Sequence, residues 1–192
     1  QFKLKESSYG EDTYFLAWTT TPWTLPSNTA LCVGENILYC VVKTENPYTK
    51  EACQVILAQD LVETYFGEKK ISNFELVHKD IKGAELLGLE YEQLIPWMYP
   101  GKGAFKVISG DFVTTDDGTG IVHIAPTFGA DDDKVAKNFQ VPPMLLIDKE
   151  GNKRPMVDLT GKFYLIEDLD EDFVKNNINL DLYQDYAGRF VK

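Results

Sequence analysis

A polar segment rich in threonine and proline, residues 18–28, is the feature that most limits how this chain can fold. Its sequence is Trp-Thr-Thr-Thr-Pro-Trp-Thr-Leu-Pro-Ser-Asn. Proline lacks a backbone donor, and hydroxyl side chains compete for backbone groups, so the segment suits neither a strand interior nor a helix. It is either a strand end and a proline turn whose hydroxyls satisfy loose backbone groups, or a site whose hydroxyls and indole bind a ligand with hydroxyls, a carbonyl and a ring.

The length and composition predict a single domain over residues 1–192. Of the 192 residues, 44% are hydrophobic, which is enough for a buried core. No apolar run approaches the ~18 residues of a membrane span, and the charged start lacks the apolar region of a signal peptide. The absence of an initiator methionine indicates an excised fragment. We expect the protein to be cytoplasmic.

The cysteines and the net charge exclude several classes of protein. An odd number of cysteines without a Cys-x-x-Cys pair argues against a disulfide framework and a structural zinc site, so we expect buried thiols, no metal and no cofactor. The three are Cys32, Cys40 and Cys53. The net charge of −11 argues against a free-standing nucleic-acid-binding protein, because lysine and arginine supply most phosphate contacts. Any nucleic acid must be held mainly elsewhere.

Short apolar segments between turn residues predict a β-rich α/β fold, barrel-like, with short peripheral helices. The predicted strands are residues 14–18, 30–33, 37–42, 52–58, 74–77, 86–91, 105–108, 120–125 and 180–183. The predicted helices are residues 59–66, 131–139 and 168–176. A hairpin turn is expected at residues 34–36.

A second motif, residues 118–133, combines a glycine turn, a strand with one histidine, and three aspartates. Alternation along the strand places the side chain of His123 on the side of Ile121 and Ala125. A histidine on such an apolar face is commonly a hydrogen-bonded core residue, and the alternative is a binding role. The aspartates either cap the following helix and offset its dipole, or one of them binds an ammonium group of a ligand.

Together the two motifs resemble those of the editing domain (connective peptide 1) of isoleucyl-tRNA synthetases, a class I family. The first resembles that family's threonine-rich motif. Residues 118–132, with the pattern Gly-Thr-Gly-Ile-Val-His-x-Ala-Pro-x-x-Gly-x-Asp-Asp, resemble its second editing motif. Thr21 stands where the valyl and leucyl domains typically carry arginine. The resemblance covers essentially the whole chain, and the His-Ile-Gly-His and Lys-Met-Ser-Lys-Ser signatures of the synthetase are absent.

The resemblance implies post-transfer editing, which is hydrolysis of the ester that joins valine to the 3′ end of isoleucine tRNA. This family is the usual illustration that one methylene discriminates only about 150-fold, so that a second site must admit valine and exclude isoleucine. The implied partners are that tRNA end and the rest of the synthetase chain, with no membrane and a monomeric state. Three other functions stay open: a non-catalytic module that binds aminoacyl-adenosine or a tRNA 3′ end, a free-standing trans-editing deacylase, and a structural β-barrel.

The resemblance also implies roles for single residues. Asp132 matches the anchor for the α-ammonium group of the substrate, and His123 matches the residue that closes against the extra methylene of isoleucine. The implied catalytic residues are Thr19, Thr20, Thr21 and Asp132. The implied substrate-binding residues are Trp23, His123 and Asp132.

Three further positions near the second motif carry expectations. Asp131 is expected to cap the helix, and Asp133 is expected to face solvent. Phe128 stands where many bacterial members carry histidine, so its loop is assigned no catalysis.

Overall fold

The computed structural model describes residues 1–6, 8–67, 70–71 and 73–191. In this part of the chain the strands are β1 (Phe2–Lys3), β2 (Thr13–Phe15), β3 (Ala30–Val33), β4 (Leu38–Glu45), β5 (Ala52–Ala58), β6 (Glu75–Lys82), β7 (Lys106–Ser109), β8 (Ile121–Ile124), β9 (Leu146–Ile147) and β10 (Lys153–Arg154). The helices are α1 (Val62–Tyr65), α2 (Gly83–Leu86), α3 (Ala130–Asn138), α4 (Glu171–Asn177) and α5 (Leu180–Tyr183), with 3-10 turns at Pro22–Ser27, Gln59–Leu61 and Ile166–Asp168. No described helix combines the length and the apolar surface that crossing a bilayer requires.

The chain divides into two compact units. The first unit contains Gln1–Thr20, Ala30–Glu92 and Phe105–His123, and the second contains Thr21–Thr29, Gln93–Ala104 and Ile124–Lys192. Each motif therefore contributes residues to both units. That residues 1–192 act as a single editing domain stays a prediction.

A five-stranded sheet in the first unit has the order β1-β2-β5-β4-β6. β2 and β5 are parallel, and the other neighbours are antiparallel. On one face Cys40, Val42, Val55 and Leu57 are buried and pack with Phe66. Full burial of a large apolar side chain contributes about 1.5–3 kcal/mol, so this cluster stabilises the centre of the sheet. The three cysteines are free thiols buried in β3, β4 and β5, as expected.

A three-stranded sheet has the order β7-β3-β8. Strands β3 and β7, and β8 as far as His123, belong to the first unit. β3 runs parallel to β7, and every residue of β3 is completely buried. A strand covered on both faces needs a continuous apolar run, which the sequence Ala-Leu-Cys-Val supplies. Because β3 follows the first motif and β8 carries His123, this sheet positions the site.

The mixed α/β, β-rich architecture with short helices is confirmed, but the barrel is not. The strands of the described residues form sheets of five, three and two members, and no closed barrel is present among them. Strand β1, at one edge of the largest sheet, has only two residues. Such a short edge offers too few backbone groups to pair with the opposite edge strand, β6.

The predicted hairpin at residues 34–36 is wrong, because β3 and β4 belong to different sheets. The backbone groups of this turn bond to the start of α2 instead. The Gly83 amide donates to the Ile37 carbonyl at 2.9 Å, and the Ala84 amide donates to the Glu35 carbonyl at 3.1 Å.

Two predicted strands are also wrong. Residues 180–183 form helix α5, in which the Tyr183 amide donates to the Asn179 carbonyl at 2.9 Å. Residues 86–91 begin at the end of α2 and continue as a turn. Within this segment β pairing is limited to isolated bridges at Glu90 and Tyr91. Gly88 has a φ of +81°, a left-handed conformation that interrupts a regular strand.

In the second unit, Asp148 closes the loop between β9 and β10. Its Oδ1 accepts hydrogen bonds from the backbone amides of Glu150 and Asn152, at 3.1 and 2.7 Å. Its Oδ2 accepts from Arg154 Nε at 2.7 Å, and the side chain is only 6% exposed. Burial alone would raise the pKa of this carboxyl. The hydrogen bonds to Arg154 and Asn152 have the opposite and larger effect, so the pKa is lowered to about 2.

We expect Asp148→Asn to lower the melting temperature at pH 7. The folded-state pKa of Asp148 is about 2, below the ordinary value of 3.8, so the ionised carboxylate stabilises the folded chain at neutral pH. This stabilisation is lost as the pH falls from about 4 through about 2. Thermal unfolding between pH 7 and pH 2 should therefore show a smaller acid-induced decrease for the variant. An Asp185→Asn control, at an exposed carboxylate, should follow the unmodified chain, and identical profiles for all three proteins would contradict the assignment.

Candidate functional site

In the first unit a hydrogen bond joins the two motifs at two candidate residues. The Oγ1 atom of Thr19 lies 3.3 Å from Nε2 of His123, across 104 residues of sequence. His123 is 8% exposed on β8, Thr19 is half-buried, and Thr20 is exposed. His123 is thus buried, as the alternation predicts, and a hydroxyl of the threonine motif fixes the position of its imidazole.

Thr119 makes a second link between the motifs, at a position for which the sequence patterns predict no role. Its Oγ1 accepts from the Trp18 amide at 3.3 Å and donates to the Ile121 carbonyl at 3.3 Å. The residue is 1% exposed. A buried threonine hydroxyl needs partners, and the glycine on each side of Thr119 was the signal that backbone approaches closely here.

A cavity of about 410 Å³ in the first unit adjoins the threonine motif at Trp18 and the second motif at Thr119. Leu16, Tyr65 and Phe66 contribute to its apolar wall. Its volume lies within the range of about 300–1,000 Å³ that is typical of small-molecule sites. The start of the motif therefore borders a cavity of ligand-binding size.

In the second unit the first motif continues as the 3-10 turn Pro22–Ser27, on which Trp23 is half-buried. The hydroxyl and the amide of Thr24 both donate to the Thr21 carbonyl, at 2.8 and 3.0 Å. The Oγ1 atoms of the two threonines lie 3.4 Å apart. The hydroxyl of Thr24 thus satisfies a backbone group, as expected if this part of the segment is a proline turn and not a ligand-binding site.

Within the second unit the end of the first motif lies beside the second motif. The Thr29 amide and Asn28 Nδ2 both donate to the Ile124 carbonyl, at 3.0 and 3.4 Å. The next amide, that of Ala125, donates to Asp132 Oδ2 at 2.8 Å. Asp132 is therefore connected to the first motif by consecutive hydrogen bonds.

Of the other two aspartates, Asp131 does not have its expected role. Helix α3 begins at Ala130 with Gly129 as its N-cap, so Asp131 is not the cap. It is exposed in the first turn, where its charge offsets the helix dipole. Asp133 faces solvent, as expected, with 39% of its side chain exposed, and it pairs with Lys137 at 2.6 Å because the two residues are one helical turn apart.

Comparison with known proteins identifies relatives for the whole chain, although no protein-family model matches it. The sequence is 56% identical to an isoleucine--tRNA ligase of Bacteroides fragilis and 54% identical to that of Porphyromonas gingivalis, over 100% of this chain and 18% of each relative. The isoleucine--tRNA ligase of Clostridium tetani is 47% identical over 79% of this chain and 13% of the relative. The chain thus spans about a fifth of the length of the Bacteroides and Porphyromonas ligases.

Among solved structures, the P. falciparum cytosolic leucyl-tRNA synthetase editing domain is similar in two crystal forms. The TM-scores are 0.51 and 0.50, at 16% identity, and the match covers 73% of this chain and 57% of that chain. At this identity the likeness concerns the fold alone. From the sequence relatives and this fold, the chain belongs to the isoleucine--tRNA ligase family, as the segment that has the editing-domain fold.

Proposed function

We propose that this chain performs post-transfer editing within an isoleucine--tRNA ligase. It hydrolyses the ester of isoleucine tRNA that has been mischarged with valine, and it excludes isoleucine by size. The observation that supports the proposal is the contact between Thr19 and His123, in which one hydroxyl of the threonine motif lies 3.3 Å from a buried imidazole. The ligase relatives supply the substrate class.

Asp132 binds the α-ammonium group of the substrate in this proposal. Its Oδ2 accepts the Ala125 amide, which orients the carboxylate. Within the described part of the chain, no donor bonds to its Oδ1, so this oxygen accepts the charged hydrogen bond from the substrate. An anchor that is already oriented loses little entropy when the substrate binds.

His123 limits the size of the aminoacyl side chain. It is 8% exposed and its imidazole is held by Thr19, so the ring forms a wall that does not easily move aside. One methylene in such a pocket is worth about 1–3 kcal/mol, which suits discrimination between valine and isoleucine. Trp23 packs beside the substrate.

The reaction needs orientation more than a strong nucleophile, because an aminoacyl ester is already reactive. A water molecule attacks the ester carbonyl carbon to form a tetrahedral intermediate, whose collapse releases valine and the tRNA hydroxyl. The hydroxyls of Thr19, Thr20 and Thr21 orient the ester and the ribose and face the developing oxyanion. The scheme assigns no general base to the protein and uses no metal or cofactor.

The tRNA body is held by other parts of the synthetase. A chain with a net charge of −11 repels phosphates, so it receives only the flexible 3′ end that other domains deliver. We accordingly propose the rest of the ligase chain as the partner that brings substrate to the site, a monomeric state for this segment, and the cytoplasm as its location.

Single-turnover deacylation of isoleucine tRNA charged with valine, threonine or isoleucine tests the proposal. We expect the ligase that contains this segment to hydrolyse Val-tRNA much faster than Ile-tRNA. A non-catalytic module would bind a non-hydrolysable valyl-adenosine analogue and leave both esters at their uncatalysed rates. If the segment is a free-standing deacylase, the isolated 192-residue chain should hydrolyse Val-tRNA as fast as the whole ligase does. Equal rates for Val-tRNA and Ile-tRNA would contradict selection by size.

A further inference from the structure

The glycine turn, defined here as residues 118–120, leads into the strand that carries His123 and is held at all three of its carbonyl groups. Tyr65 Oη donates to the first carbonyl at 2.7 Å, the Ala58 amide donates to the second at 2.8 Å, and Tyr39 Oη donates to the third at 2.6 Å. Three different elements, α1, β5 and β4, supply these donors. The position of the turn is therefore fixed from three directions.

The conformation of the glycine turn leaves little freedom for change. Gly118 and Gly120 have φ values of +70° and +71°, in the left-handed region that favours glycine. A Cβ on Gly120 would lie 2.5 Å from the Cβ of Ala58, so the turn packs directly against the end of β5. The backbone of the glycine turn is therefore held by close packing against Ala58 as well as by hydrogen bonds.

The glycine turn also sets the contacts between the two motifs in the first unit. Thr119, in its centre, accepts the Trp18 amide at 3.3 Å, and Thr19 follows directly. On the other side the turn leads into β8, on which His123 contacts Thr19 at 3.3 Å. A displacement of the turn would therefore alter the position of His123 relative to the threonine hydroxyls.

We infer that Tyr39 and Tyr65 are positioning residues of the editing site, whose hydroxyl groups fix the glycine turn and thereby the spacing of Thr19 and His123. The inference rests on the proposed function, because spacing has catalytic meaning only if the site hydrolyses an ester. Both tyrosines lie outside the two motifs. They act through the backbone of the turn.

Tyr39 has the larger effect of the two. Its hydroxyl is completely buried and also accepts the Gly34 amide at 3.0 Å, so its removal leaves a donor and an acceptor unsatisfied. Burial raises the pKa of Tyr39 to about 12, so the hydroxyl keeps the proton that it donates. Tyr65 is half-buried, and water can replace part of its contribution.

The test compares Tyr39→Phe and Tyr65→Phe with the matched control Tyr183→Phe. Tyr183 is also completely buried, and its hydroxyl donates to the Tyr164 carbonyl at 2.7 Å, outside both motifs. In the whole ligase at saturating enzyme, Val-tRNA hydrolysis is expected to fall at least about tenfold for Tyr39→Phe, because misplacement by about 1 Å costs up to a hundredfold. Tyr65→Phe gives a smaller loss. Tyr183→Phe leaves the rate unchanged although it lowers the melting temperature.

Amide hydrogen exchange of residues 119–123 in the 192-residue chain gives a readout that does not depend on hydrolysis. We expect faster exchange in Tyr39→Phe and unchanged exchange in Tyr183→Phe. If the unmodified ligase does not hydrolyse Val-tRNA, the proposed function fails, and exchange alone decides whether the tyrosines hold the turn.

Several results would overturn the inference. Unchanged exchange in Tyr39→Phe shows that the hydroxyl does not fix the turn. Faster exchange with unchanged hydrolysis, in a ligase that edits, reduces the tyrosines to structural residues. An equal loss of hydrolysis in Tyr183→Phe shows that the effect is not specific. If Tyr39→Phe does not fold, the half-buried Tyr65→Phe decides by the same criteria.

Discussion

Asp132→Asn is expected to slow single-turnover hydrolysis of Val-tRNA by at least about 30-fold without unfolding the chain. In the unmodified chain the Ala125 amide donates to Asp132 Oδ2 at 2.8 Å. Asparagine keeps an oxygen that can accept this bond, but it lacks the charge that binds the ammonium group of the substrate. Loss of one partner of a charged hydrogen bond costs about 2–5 kcal/mol, and about 1.4 kcal/mol corresponds to a tenfold change. Asp132→Ala removes the structural bond as well, so it should abolish hydrolysis and also lower the melting temperature.

The neighbouring aspartates provide controls with the same change in net charge. Asp131 is exposed, and Asp133 makes a surface ion pair with Lys137 that is worth at most about 1 kcal/mol. Asp131→Asn and Asp133→Asn are therefore expected to leave the rate nearly unchanged. A rate near that of the unmodified protein for Asp132→Asn, or equal losses in all three variants, would exclude Asp132 as the ammonium anchor.

Local features around the site could be predicted from the sequence. Strands β3 (Ala30–Val33) and β5 (Ala52–Ala58) have the predicted bounds, because each is an apolar segment enclosed by turn residues. The burial of His123 follows from its place in the alternation of β8. Such patterns are carried by neighbouring residues, so one sequence is enough to find them.

Contacts between distant residues could not be predicted in this way. Tyr39 is an ordinary apolar strand residue in the sequence, yet its hydroxyl bonds to a carbonyl 81 residues away. Thr119 resembles any threonine in a turn, yet it accepts the Trp18 amide. Both contacts depend on which sheets the strands join, and alternation does not encode sheet membership.

Helix α5 shows how tertiary packing overrides a local pattern. Leu180 and Leu182 alternate with polar residues as in a strand, but their side chains are exposed, at 40% and 42%. The buried residue is Tyr183, whose ring centroid lies 5.7 Å from that of Trp97. One helical turn buries this aromatic ring and lets its hydroxyl reach the Tyr164 carbonyl. The buried surface and the hydrogen bond of Tyr183 thus outweigh the alternation of the leucines.

His123→Ala is expected to lower the preference for Val-tRNA over Ile-tRNA by about 10- to 200-fold, which is the worth of one methylene in a pocket. The change removes a buried ring that contacts Thr19 at 3.3 Å, and the space left behind admits the longer side chain. The preference is measured as the ratio of single-turnover deacylation rates for the two charged tRNAs. Most of the change should come from faster hydrolysis of Ile-tRNA.

The direction of the change separates a steric role from a chemical one. If His123 carried a proton in the reaction, its loss would slow hydrolysis of Val-tRNA and leave Ile-tRNA protected. His78→Ala is the matched control, because His78 is exposed on β6 and its ring lies 5.5 Å from that of Tyr9. This variant should leave both rates unchanged. Ile-tRNA that stays fully protected in a folded His123→Ala variant would show that the imidazole is not the wall that excludes isoleucine.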